Sequence, residues 1–153
     1  MQKSSKIFIG SDHAGFALKE ELKKYLLGKD FDVEDFGAKK YVEGDDYPEI
    51  LTPLAFTIAQ NPEKNRGIVI GKSGQGEAIV CNRFPGVRAI VYDGGNLEVV
   101  RLGREHNDAN VLALGADFVP FSEAKQAVDM WLATPFSADE RHMKRNAMLD
   151  NIS

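Results

Sequence analysis

The stretch Arg66-Gly-Ile-Val-Ile-Gly-Lys-Ser-Gly-Gln-Gly-Glu-Ala-Ile-Val-Cys-Asn82 carries the densest chemistry in the chain. Glu77 closes a turn holding Gly71, Gly74 and Gly76, with Lys72 and Ser73 among them. Glycines let a backbone turn tightly and approach a ligand closely. A helix opening at about Glu77 leaves unpaired N–H groups over that turn, a setting that favours an anion. A carboxylate beside such donors is a candidate proton-transfer base. A carboxylate in a first helical turn also serves simply to complement the helix dipole, and at this point both readings stand.

Gly71-Lys72-Ser73 ends like a phosphate-binding G-x-x-x-x-G-K-[ST] loop. The earlier glycine would have to be residue 66, which is Arg66, and Gly67 to Ile70 reads as strand. Nucleotide hydrolysis is excluded on that spacing.

The three histidines sit in suggestive places. His13 follows Asp12, which pairs an acceptor with a titrating group. His106 lies in Glu105-His-Asn-Asp108, and His142 lies between Arg141 and Lys144. The plainer alternatives are a helix-capping Asp12, a helix-end His106 and a solvated His142. Arg141 and Arg145 are spaced i, i+4, so both project from one helical face. Two guanidiniums so placed make a phosphate clamp or an ordinary basic surface. No H-x-x-x-H, H-E-x-x-H or cysteine pair is present, so no zinc site is expected. Without a G-x-S-x-G elbow an α/β-hydrolase is not expected either.

These groups need a scaffold. At 153 residues, 43% hydrophobic and 27% charged, residues 1–153 fit one globular domain with a real core. A net charge of -4 predicts no nucleic-acid footprint. No apolar stretch approaches a membrane span, and the start Met1-Gln-Lys-Ser-Ser lacks a signal peptide's apolar core. The single cysteine, Cys81, rules out an internal disulfide framework, suits a cytoplasmic location and reads as packing.

Strands are expected over Lys6–Gly10, Phe31–Phe36, Gly67–Ile70, Val87–Tyr92 and Asn110–Gly115. Between them run helical patterns. The first carries Leu18, Leu22, Tyr25 and Leu26 on one face and Lys19, Glu20, Lys23 and Lys24 on a solvated one. Pro48 suits the first turn of the second helix, whereas Pro53 is expected to kink or delay it. Pro120–Leu132 reads as a helix, and a last one over 137–151 opens on the capping box Ser137-Ala-Asp-Glu140. Alternating strands and helices predict a three-layer αβα, doubly wound, Rossmann-like fold with a parallel five-stranded sheet. The common order 2-1-3-4-5 puts a switch point between strands 1 and 3. Ser11-Asp12-His13 and Gly71 to Glu77 would then face one crevice.

Asp12-His-Ala-Gly15, Asp46-Tyr-Pro48, Gly71-x-Ser-Gly-x-Gly-Glu77, Glu105-His-Asn-Asp108 and Arg141-His…Arg145 occur in order across nearly the whole chain. Together they resemble the ribose-5-phosphate isomerase type B family, which includes galactose-6-phosphate isomerase subunits. The resemblance implies an aldose–ketose isomerase of the pentose phosphate pathway that needs no metal or other cofactor. It implies a homodimer, or a tetramer of dimeric units, with sites shared between subunits. The last helix, 137–151, would contribute to dimerisation and phosphate binding. One branch of the family uses a cysteine base at the end of strand 3, where this chain has Gly71. The other branch uses the glutamate that corresponds to Glu77.

By the same resemblance Glu77 would move a proton from C2 to C1 of the sugar through a cis-enediolate. N–H groups of the Ser73 to Gly76 turn would stabilise the oxyanion. His106 with Asp12 would open the furanose ring, and Ser73 would position the sugar, with Tyr47 and Asn107 lining it. His13, Arg141 and Arg145 would hold the phosphate. Many relatives carry an arginine after strand 5 where this chain has Asp117, and a glycine where it has Lys72. Lys72 is therefore expected to restore the missing cation. Isomerisation of an allose or galactose 6-phosphate, or sugar-phosphate binding without turnover, are the alternatives.

Overall fold

The computed structural model describes residues 6–152. The polar start Met1–Ser5, read above as no signal peptide, lies outside the described residues, as does Ser153.

Five parallel strands form the sheet, four of them largely apolar runs and the second an acidic one. These are β1 (Lys6–Ser11), β2 (Asp32–Asp35), β3 (Arg66–Gly71), β4 (Ala89–Tyr92) and β5 (Val111–Gly115). The helices are α1 (Phe16–Gly28), α2 (Tyr47–Gln60), α3 (Gln75–Cys81), α4 (Glu98–Asn107), α5 (Phe121–Ala133) and α6 (Glu140–Asp150). A 3₁₀ turn over His13–Gly15 links β1 to α1. Leu18 and Leu22 of α1, Val100 of α4 and Trp131 of α5 pack on one face of the sheet. Leu51, Leu54 and Ile58 of α2 and Ala78 and Cys81 of α3 cover the other. The three-layer doubly wound fold is as expected. No helix of the described residues is long and apolar enough to cross a membrane.

The strand order departs from expectation. It is β2-β1-β3-β5-β4, with the last two strands exchanged. All five residues of β5 are buried, whereas Ala89, Ile90 and Val91 of β4 are only partly so. The fully buried strand takes the inner position and the half-covered one the edge. Consequently the loop after β5 lies beside the loop after β3. Ala116 N–H donates to Gly71 O at 2.8 Å and Asp117 N–H to Lys72 O at 3.1 Å.

Several local expectations are corrected. Pro53 does not delay α2, which starts at Tyr47 and runs through it. The proline lies on the exposed face of the helix, the side on which a missing backbone hydrogen bond costs least. The Ser137 capping box does not form. Ala138 takes a positive φ of 57°, Asp139 becomes the N-cap and α6 starts at Glu140. Ser137 Oγ instead accepts from Asp139 N–H and meets His142 Nδ1 at 2.8 Å. Lys19 is not on a solvated face. It is fully buried, its Nζ 2.6 Å from Asp35 and 2.7 Å from the carbonyl of Ala38.

Candidate active site

Strands β1 and β3 are neighbours whose outgoing loops lead to helices on opposite faces of the sheet. That divergence opens a crevice at their carboxyl ends. Asp12 lies on its β1 side, where its Oδ1 accepts from Ala14 N–H at 3.1 Å and Gly15 N–H at 3.4 Å. The capping reading of Asp12 therefore holds as a fact of geometry.

On the β3 side, Gly74 adopts φ 81° and starts α3. The left-handed residue reverses the chain within one turn, so the first turn of α3 folds back over the strand end. Glu77 is thereby buried, with 4% of its surface exposed. Its carboxylate lies against the bare Cα of Gly71, which a Cβ there would overlap. Gly76 is bare for a similar reason, because a side chain would collide with the Tyr47 ring and hydroxyl. Burial raises the Glu77 pKa and the Asp12 charge adds to the rise, while the N–H groups of Glu77 and Gly74 oppose it. A carboxylate destabilised as an anion by burial is suited to accept a proton. Ser73 Oγ accepts from Gln75 N–H at 3.3 Å, and Ser73 is wedged against Gly115 of β5. Lys72 and Asp117 pair at 3.7 Å on the exposed rim.

His13 is held by a residue that the sequence reading passed over. Asp45 Oδ1 accepts from the His13 backbone N–H at 2.8 Å and meets its ring Nδ1 at 2.7 Å. The hydrogen bond to Asp45 raises the His13 pKa, with the Asp12 charge acting in the same direction. The signal available was the doubled aspartate of Gly44-Asp-Asp-Tyr-Pro48, of which only Asp46 entered the motif. The side-chain donor and acceptor atoms of Asp12, His13 and Asp45 lie within 4.8 Å of one another. The Oδ1 atoms of both aspartates are already used as N–H acceptors.

The remaining expected residues are elsewhere. A helix that follows a parallel strand runs back to the start of the next, so the end of α4 lies at the amino edge of the sheet. His106 and Asn107 are therefore at the edge opposite Glu77. Strands of this length separate the two edges by roughly 15–20 Å. The tip of α4 is anchored on α6, where Asn146 Nδ2 donates to His106 O at 3.1 Å and to which Asn107 Nδ2 donates in turn at Oδ1, 3.4 Å away. Arg88, just before β4, donates from Nη1 to both carboxylate oxygens of Asp150 at 2.8 Å. Arg104 and Arg88 also bracket Asp108, at 2.8 and 3.6 Å. His142 is buried, not solvated, and its ring stacks on that of His106 with centroids 4.3 Å apart. Burial lowers its pKa, and the neighbouring His106 and Arg141 add to that. Arg141 and Arg145 share the exposed side of α6. Cys81 is fully buried, its thiol pushed up to about 12 by burial, so it packs and does not react.

A family described as Ribose/Galactose Isomerase matches residues 7–149. The chain belongs to that family. It is 36% identical over 140 residues to ribose-5-phosphate isomerase B of Mycolicibacterium paratuberculosis, covering 92% of this chain and 86% of the relative. Identity to ribose-5-phosphate isomerase B of Escherichia coli is 38% over 140 residues, covering 92% and 91%. Among solved structures, ribose-5-phosphate isomerase B of Mycoplasma genitalium with bound ribulose-5-phosphate superposes with a TM-score of 0.91. That match has 34% identity and covers 97% of this chain and 96% of the other. The Thermotoga maritima ribose 5-phosphate isomerase superposes with a TM-score of 0.88 at 39% identity, covering 97% and 99%.

Proposed function

We propose that this isomerase interconverts ribose 5-phosphate and ribulose 5-phosphate. The observation that carries the reading is the buried Glu77 carboxylate, seated on Gly71 beside Asp12 in the crevice. Glu77 removes the C2 proton and returns it to C1 through a cis-enediolate. The N–H groups of the Ser73 to Gly76 turn stabilise the oxyanion, and Ser73 and Tyr47 position the sugar. His13 meets the phosphate. The bound ribulose-5-phosphate of the Mycoplasma genitalium relative supports the substrate class.

His106, Asn107, Arg141 and Arg145 act on the crevice of a second copy of the chain. The support is their place at the opposite edge of the sheet, out of reach of Glu77 in the same chain. Exposed Met143, Met148, Leu149 and Ile152 on and after α6 supply apolar surface for such a contact. In the assembled site His106 and Asp12 open the furanose ring, and the two arginines join His13 on the phosphate. The protein works in the cytoplasm as a dimer or a tetramer of dimers. A hexose 6-phosphate is the second reading, favoured by the Lys72–Asp117 pair, which alters the charge pattern at the rim.

The test is ribulose formation from ribose 5-phosphate in the presence of EDTA. Robust turnover is expected, and Lys72→Gly is expected to raise KM about threefold to tenfold if Lys72 serves as a phosphate cation. A chain inert on the pentose but active on allose or galactose 6-phosphate would establish the second reading. Inertness on all three with retained binding would mean a sugar-phosphate-binding module.

A further inference from the structure

The geometry of His13 is fixed by a residue outside every motif described above. Gly44 takes φ 78° and turns the segment before α2 back toward the end of β1. Asp45 follows immediately, and a single oxygen, Oδ1, receives both the backbone N–H and the ring Nδ1 of His13. Two contacts to one atom fix the ring relative to its own backbone. The Asp45 side chain is only 14% exposed, against 31% for His13, so the aspartate lies behind the ring and the ring faces outward. The Tyr41 ring stands edge-on to the imidazole at 6.2 Å, and Phe16 stands behind Tyr41 at 6.4 Å, which closes a third side. Nε2, at the far side of the ring from Nδ1, has no hydrogen-bond partner among the described residues.

We propose that Asp45 is a positioning residue for the substrate's phosphate: it holds the His13 imidazole by Nδ1 and by the backbone N–H, and so aims Nε2 outward at the dianion. This rests on the reading of His13 as a phosphate contact. A neutral imidazole with Nδ1 bound to a carboxylate carries its proton on Nδ1 and leaves Nε2 as an acceptor, which repels a phosphate oxygen. Only the doubly protonated ring both satisfies Asp45 and donates to an anion. The carboxylate behind the ring stabilises that form, as a second-line partner does for many ligating histidines. The charged groups that bear on the ring are Asp45 and Asp12, and both favour the cation. Anion binding by His13 therefore persists to a higher pH than an isolated histidine allows.

Asp45→Asn separates charge from shape, because the amide oxygen still accepts from both His13 N–H groups. The experiment follows the His13 ring by NMR titration, assigned with His13→Gln, in the wild type and in Asp45→Asn. It also measures sulfate binding at pH 5.5 and 7.5, sulfate being a dianion whose charge is constant over that range. The wild-type ring is expected to titrate above its ordinary value of 6.5, and lower in the variant. Sulfate affinity is expected to match within about twofold at pH 5.5 and to fall about threefold to tenfold in the variant at pH 7.5. A wild-type ring that titrates at or below the ordinary value overturns the proposal. Equal sulfate affinities at both pH values, or an equal loss at both, also overturn it. Neither readout needs turnover, so failure of the isomerase reading would show separately, as an inert enzyme with these outcomes still measurable.

Discussion

The two edges of the sheet are built in opposite ways. At the carboxyl edge of β1 and β3 the polar groups are buried and crowded. Glu77 sits on Gly71, Tyr47 on Gly76, and Asp12 caps its own turn. At the amino edge the groups stand on helix surfaces, with His106 stacked on His142 and both arginines of α6 exposed. In the proposed shared site, one half of the chemistry is preorganised within the chain and the other half is offered to a second copy, which accounts for glycines at one edge and exposed cations at the other.

The largest effect is expected from Glu77→Gln, which should lower kcat about a thousandfold or more with little change in KM. The same variant should gain stability at neutral pH. The Glu77 pKa is raised in the folded state, so its contribution is fully present below the ordinary value of 4.5 and is lost as pH rises through the folded value. Melting curves should therefore coincide near pH 4 and separate by a few degrees, roughly 1 kcal/mol, at pH 7.5, with the variant higher. Coincident curves at both pH values would mean that Glu77 is not strained by its burial.

Gly71→Ala comes next. Its methyl group must displace the carboxylate, and a loss of about a hundredfold in kcat is expected from misplacement of the base. Arg145→Ala at the opposite edge should instead raise KM about tenfold and leave the melting temperature unchanged, since the side chain is exposed. Thermal destabilisation by Arg145→Ala would erase the distinction between a packed edge and a displayed one.

The same distinction explains what was legible in the sequence. The strands and most of the helices could be placed from hydrophobic patterns and turn residues, and the carboxyl-edge cluster followed because its members are loop residues next to strand ends. What depends on distant partners was not legible. Lys19 has the spacing of a surface residue, and its burial is made tolerable by Asp35 across the β2 end and the carbonyl of Ala38. The exchange of β4 and β5 depends on which strand the helices cover more fully, and their local patterns are alike. The Ser137 box matches the helix-start pattern, but the hydroxyl is taken by His142. Asp45 was overlooked because its partner, His13, lies 32 residues earlier.

The central claim is that Glu77 of one copy works with His106 of another, and subunit mixing tests it directly. Glu77→Gln and His106→Asn, each nearly inactive alone, are unfolded together and refolded as a mixture. In a shared-site dimer half of the molecules are hybrids, and each hybrid holds one site with both groups intact. The account predicts recovery of about a quarter of wild-type activity. A mixture no more active than its parents, with hybrid formation verified, would contradict it.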